Sequence, residues 1–303
     1  MSLDDKTAAE ISPVTTSSDE KKTQEKEEAS APPQPNTPSL SALDSLVVLP
    51  KIVREGILFV ASGPALLLQA AHPAVASPNP NLSRDLTASL HATLSYIACL
   101  VFGTKEEKAA LLGRIRLGQP PLQSQNSSIS SPAAQLWLVA TLYVTATDFY
   151  QRVYGNFDYR TAEASFDEFS LVLRHLSPTV LPGSSDSGLS LWPSSRPGFW
   201  KYWDAQVDSL VVSGAASDVA KDLSMRDLPS GVGITRPVLR AVTVEMLPEN
   251  LRQGYGLESS LATRGVYSMT MGLIKPVYPC VPRAWRSGPV NYYLGEVRGE
   301  ISS

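Results

Sequence analysis

The chain has 303 residues, 18% of them charged and 43% hydrophobic, with a formal net charge of −3. That balance leaves no electrostatic footprint for nucleic acid. Two cysteines are too few for a disulfide framework, so a reducing compartment is the default.

Residues 1–42 read as a disordered polar arm and residues 43–303 as one folded domain. From Met1 to Ser39 the sequence is mostly Ser, Thr, Pro, Lys and Glu, with DDK, DEKK and EKEE runs. So little of it can be buried that the ordering entropy is not recovered. It has neither the apolar centre of a secretory signal nor the Arg-rich, acid-poor character of a mitochondrial presequence. The ~260 residues that follow are enough for a large core.

The run from Arg54 to Pro73, REGILFVASGPALLLQAAHP, is apolar on every side of a helix and must be buried in protein or in lipid. Gly63-Pro64 breaks or kinks it, because proline removes a backbone donor, and His72-Pro73 ends it. Ser83 is placed to cap a helix running to Phe102, with Gly103 where a left-handed C′ residue is wanted. Thr104 and Glu107 have the spacing of a capping box. After the low-complexity stretch QPPLQSQNSSISS, Ser131-Pro132 opens a helix through LWLVATLYVTATDFYQRVY that stops at Gly155.

Further helices are predicted over 160–176, 197–213, 217–225, 236–253 and 257–274, with an irregular insert over 177–198. The proline-rich end, KPVYPCVPRAWRSGPVNYY, reads as an extended wrap. The fold class is therefore all-α, a single bundle of about eight to ten helices. The apolar segment over 90–102 is about a dozen residues, short of the ~20 that span a bilayer. The one over 45–71 is interrupted by Lys51, Arg54 and Glu55. Buried core helices are the expectation, and peripheral contact with a membrane is compatible with it.

Several pieces in order resemble the mpaB-type and rubber-oxygenase (latex-clearing protein) catalytic domain. They are ALLLQAAHPAVA (65–76), the helix end from Thr93 to Phe102-Gly103, LWLVATL (136–142), LPENLRQGYG (247–256) and VPRAW (281–285). The resemblance covers residues 54–290. It implies an all-α bundle with b-type haem held between helices, oxidising a hydrophobic small-molecule substrate. It also implies a place in a fungal secondary-metabolite pathway, and a location in the cytoplasm or peripheral to the endoplasmic reticulum. The sequence departs from the family where that chemistry is held. GRIRLGQPPLQ (113–123) has no histidine where the family places its haem ligand. Val139 stands for a second family histidine, and Ser89 for a basic residue. Retained fold with ligation lost or moved is the implication, so a non-catalytic member that binds a hydrophobic ligand or assists a pathway enzyme stands as the alternative.

Three histidines are available: His72, His91 and His175. Haem iron needs a neutral imidazole, or a cysteine, tyrosine or methionine, in an apolar slot. His91, beside small residues Ala88, Ser89 and Ala92, is the choice for a haem b ligand and metal site, with His72 and Thr93 shaping the cofactor pocket. Each has a plainer reading. His91 falls on an Arg84/Thr87/His91 stripe suited to a solvated helix face. His72, at a helix C-terminus, is expected to gain proton affinity from the dipole and to bond rather than ligate. His175 reads as a cation in the last turn of its helix. Asp148 in an apolar helix is expected to pair with Arg152 at i+4, and Trp200 and Trp203 to pack the core.

Overall fold

Local capping chemistry sets several of the helix boundaries. The computed structural model describes residues 40–75, 79–116, 131–176, 191–225 and 236–302, and among these all regular structure is helical. Most of the polar arm, the low-complexity stretch up to residue 130 and much of the 177–198 insert lie outside the described residues. Two short helices come first, α1 (Leu40–Leu43) and α2 (Leu49–Val53). Leu43 is buried, and the neighbouring Asp44 pairs with the buried Lys108 at 2.9 Å.

The long apolar run divides into a 3-10 helix, Gly56–Ala61, and α3 (Ser62–Ala70), which places Gly63-Pro64 in the first turn of α3. There the missing proline donor costs nothing. Next comes α4 (Leu82–Phe102), starting one residue before the expected cap Ser83. Gly103 ends it in an extended conformation (φ −67°, ψ 160°), not the left-handed one expected. Glycine is needed there for another reason. A Cβ at Gly103 would sit 2.5 Å from the carbonyl oxygen of Cys99.

In α5 (Lys105–Arg116) the capping box forms as read: the Thr104 amide donates to Glu107 at 2.9 Å, and the Glu107 amide to Thr104 at 3.3 Å. Ser131 accepts from the Ala134 amide to open α6 (Pro132–Tyr154), and Gly155, at φ +100°, closes it. There follow α7 (Tyr159–Leu176), α8 (Arg196–Ser209) and α9 (Gly214–Met225). The helix expected over 236–253 is two, α10 (Arg236–Met246) and α11 (Glu249–Gly254), divided at Leu247-Pro248.

The proline-rich end is helical, a correction to the expected extended wrap. α12 (Leu261–Val277) is followed by a 3-10 turn, Tyr278–Cys280, then α13 (Arg283–Arg286) and α14 (Gly288–Ser302). Pro279, Pro282 and Pro289 stand at the caps or in the first turns of these pieces, where an N–H would be unpaired anyway. Proline here punctuates helices without preventing them.

Residues from Pro38 onward form one compact unit. Its core is centred on α3, α4 and α6, where Leu67, Leu68, Leu100 and Trp137 are all essentially inaccessible. A smaller apolar cluster joins the 3-10 helix to the end of α6, α10 and α12 through Ile57, Val60, Phe149, Val242 and Met271. α4 is the one described helix long and apolar enough to cross a membrane, and 67% of its apolar window is buried inside the bundle. Cys99 is buried and Cys280 exposed, both as free thiols.

α2 is too short to be stable alone. Its first turn is held by Glu168 of α7, whose carboxylate accepts from the amides of Val47 (2.8 Å), Val48 (2.9 Å) and Leu49 (2.7 Å). Charged hydrogen bonds to a helix N-terminus are the strong kind. Glu168→Ala is expected to cost about 2 kcal/mol of folding stability, read as a lower urea midpoint with an unchanged slope.

Candidate functional site

Where α2, the 3-10 helix and α3 pass α4, α6 and the start of α14, the side chains do not fully interdigitate. They leave an apolar cavity of about 110 Å3. Its wall includes Ile52, Phe59, Leu94, Ala98, Leu142 and Val290. The polar wall groups satisfy one another: Tyr143 Oη lies 3.3 Å from Ser165 Oγ, and Thr147 donates to the Tyr143 carbonyl at 2.6 Å. Burial pushes the Tyr143 and Tyr293 phenols above their ordinary range, so both stay protonated.

One charged group reaches this cavity. Glu55, at its rim, is 7% exposed and is gripped by Arg286 Nη1 at 2.9 Å and by the Tyr154 hydroxyl at 2.8 Å. Arg286 also donates to Tyr154 Oη at 2.7 Å, which closes a three-membered network. Burial, and then the Glu55 carboxylate, hold the Tyr154 proton on. The Tyr278 hydroxyl, pushed up to about 12 by burial, accepts from the Ile57 amide at 3.1 Å. Gly56 lets the chain pass this close, since a Cβ there would sit 2.9 Å from both the Arg286 carbonyl and Pro289. Among the described residues, the site thus pairs an apolar interior with one neutralised carboxylate, and no free base faces the cavity.

The histidines lie elsewhere. His91 sits on the outer side of α4 with its side chain 42% exposed, paired with Glu296 and edge-on to Tyr293 at 5.1 Å. It is on the solvated face, and α14 supplies its partners. Thr93 is buried and donates to the Ser89 carbonyl at 2.7 Å. His72 is buried between α3 and α8, stacked on Trp137 at 5.0 Å, which in turn stacks on Trp203 at 4.9 Å. These three residues therefore do not converge on one pocket. His175, in the last turn of α7, is buried, with Nδ1 2.9 Å from the Leu171 carbonyl. Asp148 and Arg152 do pair, at 2.8 Å, with Tyr267 accepting from the arginine at 2.6 Å. Trp203 is core, as its spacing indicates.

Both His72 nitrogens are engaged. Nδ1 accepts from the Ala74 amide at 3.2 Å, so Nε2 carries the proton and donates to Gln206 Oε1 at 2.9 Å. Burial lowers its proton affinity and outweighs Gln206, which acts the other way. The helix-dipole expectation had the opposite sign; desolvation wins because the ring is sealed under Trp137. Sequence reasoning missed Glu55, Tyr154 and Arg286. An acid and a base far apart in the chain, each beside an apolar run, were the available signal.

Two outcomes follow. Arg286→Ala leaves Glu55 buried with only tyrosine to hold it and is expected to cost about 3 kcal/mol, the low end for an uncompensated buried charge, measured by chemical denaturation. His72 has a folded pKa below its unfolded value of 6.5. Its stabilisation is full above that value and is lost as pH falls through the folded pKa. Denaturation at about pH 7.5 and about pH 5.5 should show this loss, and His72→Gln should reduce the difference.

Comparison with known proteins follows this architecture. Two uncharacterised proteins, one of Mycobacterium bovis and one of Mycobacterium tuberculosis, are each 24% identical to the chain over 201 residues, 64% of this chain and 75% of theirs. No solved structure matches at a significant level. Residues 50–275, spanning α2 to most of α12, match the family described as ER-bound oxygenase mpaB/B'/rubber oxygenase, catalytic domain; the chain belongs to that family.

Proposed function

We propose that this chain binds a hydrophobic small molecule in the apolar cavity, with a slender aliphatic part among Leu94, Ala98 and Leu142 and a polar end at Glu55, Arg286 and Tyr154. The observation that carries it is the combination of an apolar wall with a single neutralised ion pair at the rim. Such a site takes most of its affinity from burial and its orientation from a few polar groups. The volume of about 110 Å3 is below the ~150 Å3 of a cavity that accepts benzene, so a narrow chain fits better than a flat ring system.

The family is associated with haem-dependent oxygenases, and haem would supply oxygen activation if bound. The residues present do not fit it. Val139, at the family's histidine position, is completely buried. Beside it Gln69 fills the α3–α6 interface, donating to the Leu138 carbonyl at 3.3 Å and to Thr141 at 2.9 Å. Neither His72 nor His91 offers a nitrogen to the apolar cavity. The non-catalytic reading is the one the geometry supports best. The second reading, an oxygenase-like oxidoreductase of hydrophobic substrates in a fungal secondary-metabolite pathway, rests on the family match. It would use His91 or His72 as ligand, with Thr93 nearby.

One pair of titrations separates them. A fluorescent polyene fatty acid should bind the purified chain saturably, and Ala98→Phe, which fills the cavity, should weaken it about tenfold or more. No binding, or binding indifferent to Ala98→Phe, overturns the cavity reading. A stoichiometric Soret band on adding haem, lost in His91→Ala or His72→Ala, would instead establish the second.

A further inference from the structure

Helix α12 is apolar on both sides, although only one side is packed. Its inner face sets Tyr267, Met271, Ile274 and the following Tyr278 against the smaller core cluster. Its outer face follows the helical spacing through Ala262, Val266, Met269, Leu273 and Val277, filled in by Gly265, Gly272 and Pro276. No polar side chain interrupts it. Met269 is 71% exposed, and Leu273 and Val277 are each 58% exposed. Apolar residues on two opposite faces of a helix normally mean that both are covered. Here the bundle covers the face that carries Met271, and the opposite face is turned outward.

Charge supplies the second observation. The whole chain is net acidic, yet from Ser259 through Gly295 there is no Asp or Glu, while Arg264, Lys275, Arg283 and Arg286 fall within it. Arg264, Lys275 and Arg283 are exposed. Shortly past α12, on α13, Trp285 stands 80% exposed, whereas Trp137, Trp192 and Trp203 are buried and Trp200 is partly covered. An apolar stripe with basic neighbours, no acids within its own segment and an outward tryptophan suits the lipid–water interface: it combines buried area with attraction to anionic headgroups.

The same stretch also leads to the cavity. Arg286, beside Trp285, grips Glu55 at the rim, and Pro289, Val290 and Tyr293 form wall. We propose that the outer face of α12, with α13, docks on the surface of an anionic lipid bilayer. This puts the cavity rim next to the phase in which hydrophobic molecules dissolve. α4, the helix long enough to span, stays in the core. The docking stands on α12 and α13 and does not depend on what the cavity binds.

The test is co-sedimentation of the full chain with vesicles of phosphatidylcholine containing phosphatidylserine, and with phosphatidylcholine alone. Binding is expected to the first, weaker to the second, and falling with salt. Met269→Glu with Leu273→Glu should reduce the bound fraction at least about tenfold, with the circular dichroism and thermal midpoint unchanged because both residues are exposed. Lys275→Gln and Arg283→Gln should each weaken binding to the anionic vesicles about fivefold. A blue shift of tryptophan emission on adding vesicles, absent in Trp285→Phe, would place α13 at the interface. No sedimentation with either vesicle overturns the proposal. So does a dimer in solution that the Met269→Glu, Leu273→Glu variant dissolves, which would assign the face to a second copy of the chain, or capture by a protein partner without vesicle binding.

Discussion

The alignment of α3 against α6 is the constraint from which the rest of the bundle is built. Both helices are so uniformly apolar that burial alone, which is non-directional, would accept several registers. Direction comes from a few hydrogen bonds. Trp137 Nε1 donates to the Leu68 carbonyl at 2.8 Å, and Gln69 reaches across to Leu138 and Thr141. Each is sealed from water, so sliding the helices would strand donors at substantial cost. Once this pair is fixed, α4 closes over it, and the aromatic column of His72, Trp137 and Trp203 brings in α8.

The elements that could be read from the chain alone were those signalled by short-range chemistry. Ser131-Pro132, Thr104 to Glu107 and Gly155 speak for themselves, because a cap is decided within one turn. The end of the chain is misleading for a physical reason: proline density suggests extended chain, whereas Pro279, Pro282 and Pro289 mark where successive helices begin and Pro276 is accommodated inside α12. Gly103 was rightly singled out but for the wrong property, since the Cys99 carbonyl, not a left-handed turn, excludes a side chain there. The division of 236–253 at Leu247-Pro248 was legible and was passed over.

The site was less legible than the fold. The rim network joins Glu55, Tyr154 and Arg286 from three distant parts of the chain, and no local pattern announces such a meeting. Histidines attract attention in a sequence, yet their meaning is set by tertiary neighbours: Glu296 draws His91 to the solvent side, while Gln206 and Ala74 use up His72. The chain belongs to the family, and Val139, in the middle of α6, is a fully buried packing residue. Ser89, at a position where the family carries a basic residue, is buried with its hydroxyl unmatched among the described residues.

The clasp that Glu168 places on α2 reaches beyond folding. Leu49, Ile52 and Val53 of that short helix face the cavity, and the helix is fastened at its amino end by a single side chain from α7. The carboxylate that caps α2 therefore also sets the shape of one cavity wall, so a change at Glu168, next to the lining residue Phe169, would be felt by whatever guest the chamber holds.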